Sequence, residues 1–328
     1  MARRDRAAER SGKTITQQVS IIIPTRNRCG LLPRAVESAR EAGTNVEIVI
    51  IDDASDDRTA EVCRQWIDSG SVRYVRVRRR LGTGGARNVG LISSNSPYVS
   101  FLDDDDARLP GTLDLQIARL EEQPDAGMVY GRALYGDEES RATRDFYPQD
   151  CPQGDLFWSL LEWNFVPCPT VVFRRACLSR VGLIEEKAAG IEDWDLWIRI
   201  AELYPVVATC RPVAIWRRGT PGSRQFTSRS EKLHREARRL HRDKLLRLPR
   251  AIDAGPEQRR QAARAFASYA AQQLVWEASA NLKSKQIAAF ARVALAGARM
   301  YPVGVSRKIL SSTTLRSLMN ISRMDDKA

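Results

Sequence analysis

Short β-branched segments alternate with amphipathic helical segments over the first two-thirds of the chain, and this alternation constrains the fold more than any other feature. Segments such as SIIIP and EIVIID are apolar at nearly every position, as expected of strands whose two faces are both buried. Strands that alternate with helices are typical of a mostly parallel sheet flanked by helices. The sequence therefore predicts an α/β domain over residues 19–218.

The pattern predicts six strands and five helices in this region. The strands are placed at residues 19–23, 47–51, 72–77, 98–102, 127–130 and 170–173. The helices are placed at residues 32–41, 58–68, 85–93, 110–122 and 192–204. Ligands of open α/β sheets bind outside the carboxyl ends of the strands. The candidate site is therefore expected at residues 24–27, 52–57 and 103–106.

Two runs of aspartate directly follow predicted strands. They are Asp52, Asp53, Asp56 and Asp57, and Asp103, Asp104, Asp105 and Asp106. Adjacent carboxylates raise one another's pKa unless a cation or hydrogen-bond donors offset their charge. A divalent metal with oxygen ligands provides that offset and still accepts phosphate oxygens. We expect the two runs to converge on a single cation, although Asp56 and Asp57 serve equally well as caps of the next helix.

Five segments occur in order between residue 19 and about residue 216: VSIIIPTRNR, EIVIIDDASDD, GGARNVGL, YVSFLDDDDARLPGTL and GIEDWDLWIRIA. Together they resemble the inverting family 2 glycosyltransferases, which have the GT-A nucleotide-diphospho-sugar transferase fold. The resemblance implies a hexosyltransferase-type enzyme that uses Mg²⁺ or Mn²⁺ and a UDP-, GDP- or dTDP-linked sugar. It leaves the identity of the sugar open.

The resemblance also assigns residues to the nucleotide pocket. Pro24, Thr25, Arg26 and Asn27 match the segment that lines this pocket, and Asp53 matches the residue that accepts a hydrogen bond from the base. Members of the family often have an aromatic residue where this chain has Arg26. Stacking of the base is therefore not implied here.

The pattern Asp103-x-Asp105 resembles the DXD motif of the family. By this resemblance Asp105 is the principal metal ligand, Asp103 is a second ligand, and Asp104 lies near the ribose or pyrophosphate. Four acids in a row also permit a register shifted by one residue. Pro110, at the start of the next predicted helix, favours the assignment given.

Gly82, Gly84 and Gly85 precede Arg87 and Asn88 in the segment GTGGARN. A dinucleotide-binding fingerprint would place its glycines directly after the first strand, which here ends in PTRN. We interpret the glycines as a flexible loop before a helix whose N-terminus and Arg87 face phosphate. A purely structural turn is an equal alternative.

The segment GIEDWD places acids in the first turn of a predicted helix, where the helix dipole stabilises negative charge. Inversion requires a base that takes the proton of the acceptor hydroxyl. By the resemblance this base is Asp193, with Glu192 as the second candidate. A helix-capping cluster is the alternative, and Trp194 and Trp197 either line a sugar site or belong to the core.

Processive members of the family carry a Gln-x-x-Arg-Trp element beyond the base. The corresponding region of this chain reads AIWRRGTPGSRQ and lacks that element. The resemblance therefore implies transfer of a single sugar to a hydroxyl of a glycan or lipid-linked acceptor. Cell-envelope polysaccharide or glycolipid synthesis is the expected setting.

The positive charge of the chain is concentrated in its C-terminal third. The net charge is +12, with 24 Lys and Arg against 8 Asp and Glu from Arg217 onward, and 28 against 32 before it. Residues 219–328 are predicted to form a basic helical region, with two or three long helices between residues 228 and 301 broken near Pro249, Gly255 and Pro302. Such helices suit an anionic membrane surface. Packing on the catalytic domain or on a second subunit, as in a homodimer, is an equal alternative.

Three further features bear on location. The polar tail at residues 1–18 lacks the apolar segment of a signal peptide, and no uncharged run of about 18 apolar residues predicts a spanning helix. Six scattered cysteines without a CxxC pair indicate free thiols in a reducing compartment. We expect a cytoplasmic protein, and peripheral attachment to the inner face of the cell membrane stays open.

Two other functional classes were weighed. A nucleotidyltransferase acting on sugar phosphates uses a similar sheet, but it would carry a glycine-rich phosphate loop after the first strand, and PTRNR has no glycine. A nucleic-acid-binding protein could use the basic tail, but that tail has few aromatic residues among its charges. The sequence therefore favours the transferase and predicts no nucleic-acid partner.

Overall fold

The computed structural model describes residues 18–137, 139, 141–186, 188, 190–217 and 230–309. Of the polar tail predicted at residues 1–18, only residue 18 belongs to this part of the chain. The turn-forming cluster at residues 219–222, predicted as the domain boundary, lies outside it.

One sheet contains the nine strands of the described residues. These are β1 Val19–Thr25, β2 Val46–Asp52, β3 Arg73–Arg76, β4 Tyr98–Phe101, β5 Ala107–Arg108, β6 Met128–Gly136, β7 Ala142–Tyr147, β8 Val172–Arg174 and β9 Val206–Arg217. Their order is β3-β2-β1-β4-β8-β6-β9-β5, with β7 paired to β6. β5, β7 and β8 run antiparallel to their neighbours, and the other six strands share one direction. The predicted mostly parallel sheet is confirmed.

The helices fall into two groups. The first seven are α1 Leu32–Glu41, α2 Thr59–Asp68, α3 Gly82–Ile92, α4 Thr112–Glu121, α5 Phe157–Glu162, α6 Leu178–Val181 and α7 Glu192–Leu203. The C-terminal group is α8 Ser230–Asp243, α9 Pro249–Asp253, α10 Gly255–Lys283, α11 Ile287–Met300 and α12 Pro302–Ile309. The predicted breaks at Pro249, Gly255 and Pro302 are confirmed, since α9, α10 and α12 begin there.

Both faces of the sheet are buried, as the apolar strands predicted. On β1, Ile21 and Ile23 belong to a core layer that includes Leu32 of α1, whereas Ile22 points into the other layer with Trp197 of α7. This is the two-residue alternation of a strand covered on both sides. The acidic segments that follow β2 and β4, and the loop that follows β1, are thereby held at one edge of the sheet.

Helices α8 and α10 of the C-terminal group pack against the α/β part of the chain that precedes them. Phe266 of α10 stacks on His241 of α8 at 4.2 Å between ring centroids, and on Trp194 of α7 at 5.8 Å. Tyr269 of α10 lies 4.3 Å from the ring of Trp163. One hydrophobic core therefore extends from the sheet into these helices. Within the described residues, no helix combines the length and apolarity needed to cross a bilayer.

Three strands were missed by the sequence analysis, and one was placed too early. β9 pairs along β6, but its Cys-Arg-Pro segment breaks the apolar pattern, and Cys210 has a φ of 50° where the register shifts. β5 and β7 are short or exposed, so they carry no apolar run. β8 begins at Val172 because residues Cys168–Thr170 form a 3₁₀ turn.

Candidate active site

The carboxyl ends of three neighbouring parallel strands form the floor of the site. β1 lies between β2 and β4, so Thr25 at the end of β1 is adjacent to both acidic segments. The Thr25 hydroxyl donates to Oδ2 of Asp104 at 2.7 Å, and the Thr25 carbonyl accepts the Asp53 N–H at 2.9 Å. Thr25 therefore connects the two segments across the sheet, as its predicted position in the pocket requires.

Three of the four acids after β4 form one group, which we call the acidic cluster: Asp103, Asp105 and Asp106. Each contributes a carboxylate oxygen, and these oxygens all lie within 4.8 Å of one another. Oδ1 of Asp106 accepts the Arg217 N–H at 2.9 Å, but its buried Oδ2 has no partner among the described residues. Burial, together with Asp105 and Asp103, raises the pKa of Asp106 well above its usual range. An oxygen-only group with an unsatisfied buried oxygen fits a hard divalent cation.

Asp104 is not part of the acidic cluster. It accepts hydrogen bonds from Thr25 and from Nη1 of Arg28 at 2.7 Å, and the same guanidinium lies 3.2 Å from Asp105. Burial raises the pKa of the Asp104 carboxyl to about 6 against the opposing charge of Arg28. The sequence does not distinguish Asp106 from the other acids of the run, because a run of four acids does not show which oxygens meet. It also does not show that Arg28 contacts this run.

The two aspartate runs do not converge on one cation, and that prediction is wrong. Asp53 accepts hydrogen bonds from the N–H groups of Leu81 and Gly82, at 2.6 Å and 2.9 Å, at the start of α3. Asp52 accepts the Ser55 N–H and the Tyr74 hydroxyl. Both carboxylates are thus engaged by donors on the side of β1 away from β4.

The segment that follows β2 is held against the loop that follows β1. Asp57 accepts the N–H groups of Thr59 and Cys29 at 2.9 Å and 3.1 Å. Although burial opposes the effect, the Thr59 hydroxyl and these two N–H groups lower the pKa of Asp57 to about 2 by hydrogen bonding to its carboxylate. Asp57 thus binds the N–H of Thr59, the first residue of α2, although the N-cap residue of this helix is Arg58. Asn27, in a left-handed conformation with φ 53°, accepts the Asp56 N–H through its side chain.

Of the remaining residues predicted for the nucleotide pocket, Pro24 belongs to β1 and Arg26 lies in the loop that contains Asn27. Pro24 is buried in the sheet and pairs with Ile51 of β2. Arg26 is half-buried, and its Nε has no hydrogen-bond partner in the described part of the chain. Of these residues, Asn27 is the exposed one, whereas the unpartnered Nε of Arg26 is buried.

The glycine-rich segment is part of α3, so its interpretation as a flexible loop is wrong. The helix begins at Gly82, and an added Cβ at Gly84 would lie 3.3 Å from the Glu186 backbone. At Gly85 an added Cβ would lie 2.7 Å from Leu81. These glycines permit close packing of α3 on the segment before α7. The first N–H of the helix is already bound to Asp53.

Arg87 joins the acidic cluster to the start of α7. Its buried guanidinium lies 2.6 Å from Oδ1 of Asp103 and 3.2 Å from Oε1 of Glu192. Burial by itself lowers the pKa of Arg87. The neighbouring acidic groups raise it by more, so the pKa of Arg87 lies well above its usual value. A fixed positive charge therefore stands between the two groups of carboxylates.

Glu192 and Asp193 occupy the first turn of α7. Glu192 accepts the Gly190 N–H and the Arg87 guanidinium, so both its oxygens are engaged. Among the described residues, Asp193 accepts only the adjacent Trp194 N–H, through Oδ1. Burial, followed by repulsion from Glu192, raises the pKa of Asp193 to about 7, although Arg87 opposes this. Of the two residues, Asp193 therefore has the carboxylate oxygen, Oδ2, that is available to accept a proton.

The tryptophans of α7 belong to the core and do not line the site. Trp194 and Trp197 are both fully buried, and the Trp194 indole donates to the Leu160 carbonyl at 2.7 Å. Asn88 of α3 exchanges hydrogen bonds with the backbone of Ile184, at 2.9 Å and 3.0 Å. Together these contacts fix the segment that places Asp193.

Comparison with known proteins gives a family and several relatives. The model of the family described as Glycosyl transferase family 2 matches residues 20–182. The succinoglycan biosynthesis protein ExoU of Rhizobium meliloti is 40% identical over 216 residues, which cover 61% of this chain and 62% of that protein. An uncharacterized glycosyltransferase of Haemophilus influenzae is 25% identical over 188 residues, which cover 56% of this chain and 62% of that protein. The chain thus spans less than two-thirds of the length of these curated relatives.

Solved structures show the same architecture. The crystal structure of S. aureus TarS 1-349 superposes with a TM-score of 0.59 at 17% identity, and covers 94% of this chain and 88% of that one. The structure of TarS 1-349 in complex with UDP-GlcNAc has a TM-score of 0.57 at 19% identity, and covers 76% and 71%. At these identities the likeness concerns the fold alone.

Proposed function

The chain belongs to glycosyl transferase family 2, and we propose that it is a metal-dependent, inverting glycosyltransferase of the hexosyltransferase type. It moves one sugar from a nucleoside-diphosphate sugar to a hydroxyl acceptor. The observation that carries this proposal is Arg87, which links Asp103 of the acidic cluster to Glu192 beside Asp193. The two carboxylate groups that the reaction needs, at the leaving diphosphate and at the attacking hydroxyl, are thereby held together.

Asp105 and Asp103 are the proposed ligands of Mg²⁺ or Mn²⁺, with Asp106 as a third. Their oxygens lie within 4.8 Å of one another, and an oxygen-only set suits these cations. The bound cation offsets the negative charge of the departing diphosphate. Arg28 and Arg87 flank the cluster and hold its carboxylates in position.

The proposed nucleotide pocket comprises the loop after β1 together with Asp53, Asp104 and Arg87. Pro24, Thr25, Arg26 and Asn27 form the wall nearest the strand ends. Asp53 already accepts two backbone N–H groups, but each carboxylate oxygen has a second lone pair that is able to accept a donor from the base. Thr25 and Arg28 orient Asp104 toward the ribose or pyrophosphate.

Asp193 is the proposed general base, and Glu192 is the less favoured one. Both oxygens of Glu192 are occupied by Arg87 and the Gly190 N–H, whereas Asp193 accepts a hydrogen bond through Oδ1 alone within the described residues. Burial gives Asp193 a pKa of about 7, and a base is most effective when its pKa lies near the working pH. Asp193 therefore takes the proton of the acceptor hydroxyl as that oxygen attacks the sugar.

The acceptor is proposed to be a cell-envelope glycan or its lipid-linked precursor. The similarity to a protein named for succinoglycan biosynthesis supports a polysaccharide or glycolipid product. The absence of a Gln-x-x-Arg-Trp element from the sequence supports transfer of a single sugar.

The donor is tested by thermal stabilisation with a panel of UDP-, GDP- and dTDP-sugars, with and without Mn²⁺. A ligand at about 100 times its Kd stabilises the folded state by about 2.7 kcal/mol, and we expect this gain only when the cation is present. Asp105→Ala should abolish it, because the acidic cluster loses a ligand. The matched control is Asp125→Ala, at an exposed position distant in sequence from the site. Equal stabilisation of Asp105→Ala and wild type would refute the metal assignment.

We propose that residues 19–218 form the catalytic domain and that the helical region at residues 219–328 attaches it to the inner face of the cell membrane. Trp276, Ile287, Leu295 and Val303 on α10, α11 and α12 are each more than half exposed. Exposed apolar side chains on helices rich in Arg and Lys suit the interface of an anionic bilayer. A cytoplasmic protein attached in this way has access to a lipid-linked acceptor.

Flotation with vesicles tests this attachment. Full-length protein should float with phosphatidylserine-containing vesicles and not with neutral ones, because the helices carry both apolar and basic groups. The double variant Trp276→Ser/Leu295→Ser should remain in solution. Ile92→Ser, which changes an equally exposed apolar residue on α3, is the matched control and should float like wild type. Equal flotation of the double variant and wild type would exclude this surface.

A further inference from the structure

A cavity of about 580 Å³ lies between the catalytic part of the chain and α10. We call it the aromatic cavity, because Tyr147, Trp163, Phe165 and Tyr269 line it. Its volume falls within the range of roughly 300–1,000 Å³ that is typical of small-molecule sites. None of these residues has a part in the proposed donor site.

The lining of the aromatic cavity combines rings with neutral polar groups. Trp163 and Tyr269 are half-buried, so each ring keeps an exposed portion, and their centroids lie 4.3 Å apart. Gln149, Ser159 and Ser268 add amide and hydroxyl groups to the same wall. A pyranose ring presents an apolar C–H face and a rim of hydroxyls, so aromatic faces and small polar groups match its two surfaces.

The charge of the lining selects among sugars. Asp150 and Glu162 line the cavity, and no Lys or Arg is among its described lining residues. Carboxylates accept hydrogen bonds from sugar hydroxyls and repel other carboxylates. The cavity therefore suits a neutral sugar and disfavours a uronic acid.

Two chains of contacts connect the aromatic cavity to the proposed site. On one side, the Trp163 ring lies 6.1 Å from Trp194, the residue after the proposed base. On the other side, Tyr147 lies 6.4 Å from Trp216. The residue after Trp216 is Arg217, whose N–H binds Asp106 of the acidic cluster. The cavity is thus connected through Trp194 and Trp216 to residues next to both carboxylate groups, and Asp193 is not among the residues that line it.

We propose that the aromatic cavity binds a neutral pyranose of an oligosaccharide acceptor, namely the ring adjacent to the one that carries the attacked hydroxyl. This inference rests on the proposed function and narrows its acceptor to a saccharide of at least two rings. Because α10 supplies Tyr269 and Ser268, the C-terminal region takes part in acceptor recognition as well as in packing.

The test is saturation-transfer NMR on the full chain with defined probes. The probes are glucose, the cello- and malto-oligosaccharides of two to four units, and trigalacturonic acid. At least one neutral oligosaccharide should bind, and glucose and trigalacturonic acid should bind more weakly or not at all. In Ser268→Trp, a bulky ring enters the cavity from an exposed position and should reduce affinity at least about tenfold. The matched control is Ser284→Trp. Ser284 is exposed, lies at the C-terminal end of α10 and does not line the cavity, so this variant should bind the probes like wild type.

Three results would overturn the inference. The first is that no neutral oligosaccharide binds the wild-type chain. The second is equal binding of the neutral probes by Ser268→Trp and wild type. The third is binding of trigalacturonic acid as tight as that of the neutral probes. Thermal stabilisation by nucleotide sugars, measured on the same proteins, distinguishes failure of the proposed function from failure of the inference. If no nucleotide sugar stabilises the protein but glycans still bind, the proposed function is wrong. If a nucleotide sugar stabilises the protein but no glycan binds, only the inference is wrong.

Discussion

Glu192 and Asp193 are adjacent carboxylates that differ in chemistry because they differ in partners. Glu192 is bound by Arg87 and by a backbone N–H, so its charge is compensated. Asp193 has a single hydrogen-bond donor among the described residues, and burial beside Glu192 raises its pKa to about 7. A carboxylate that is costly to keep charged is a stronger base than one that is stabilised by hydrogen bonds. At the scale of single residues, these contacts therefore favour Asp193 as the base and Glu192 as the partner of Arg87.

Asp193→Asn should lose turnover and keep donor affinity. The amide has the same shape but does not accept a proton at neutral pH, and positioned general bases contribute typically 10²–10⁴-fold to the rate. We therefore expect kcat to fall by about that factor, with the Kd of the nucleotide sugar unchanged in titration calorimetry. Asp145→Asn, an exposed residue of β7, is the matched control. Full activity of Asp193→Asn would remove the base assignment.

Helix α3 shows how one element positions both halves of the site. Gly90 brings it close to β1, Arg87 reaches Asp103 and Glu192, and Asn88 binds the backbone of Ile184 before α7. The glycines are required because α3 lies directly against the sheet and against the segment at residues 184–186. The geometry of the site therefore depends on the distance between this helix and its neighbours.

Gly90→Ala should destabilise the fold. An added Cβ would lie 2.3 Å from Cγ2 of Ile22, which is too close for any real contact. Overpacking of this kind costs roughly 1–3 kcal/mol, and we expect that loss in the free energy of unfolding measured with urea. Gly30→Ala is the matched control, because nothing lies within 4 Å of its added Cβ. Equal stability of the two variants would show that α3 does not pack as described.

The whole molecule is held together by a core that runs from the sheet into the C-terminal helices. His234 and His241, the two histidines of the sequence, lie buried on α8 within this core. His234 stacks on Trp163 and has no hydrogen-bond partner among the described residues, whereas His241 contacts the Leu161 carbonyl at 2.9 Å. Burial lowers the pKa of each to about 4.

These histidines should make the fold sensitive to acid. The neutral rings are favoured in the folded state, whereas the unfolded chain takes up protons below a pKa of 6.5. Stability is therefore fully present above pH 6.5 and decreases as the pH falls toward 4, by on the order of 3 kcal/mol per histidine. In His234→Phe, which keeps a ring against Trp163, the free energy of unfolding should depend less on pH over this interval. Arg239→Gln, an exposed change on α8, should leave the wild-type slope, and the same slope in His234→Phe would contradict the assignment.

The sequence by itself determined the local features of the fold. Apolar β-branched runs and helical periodicity are properties of consecutive residues, so β1 and α1 were placed correctly, and α1 matches its predicted bounds. The helix breaks at Pro249, Gly255 and Pro302 follow from backbone restrictions at those residues. The acids after β2 and β4 are visible as a pattern for the same reason.

Only the tertiary structure decided which of these residues meet. Asp53 binds the start of α3 and stays apart from the acidic cluster, because β1 separates β2 from β4. Asp106 belongs to the acidic cluster and is held by the Arg217 N–H, which is 111 residues away in sequence. The Arg87–Glu192 pair spans 105 residues. Such contacts depend on the order of strands in the sheet and on close packing of helices, which residue spacing along the chain does not encode.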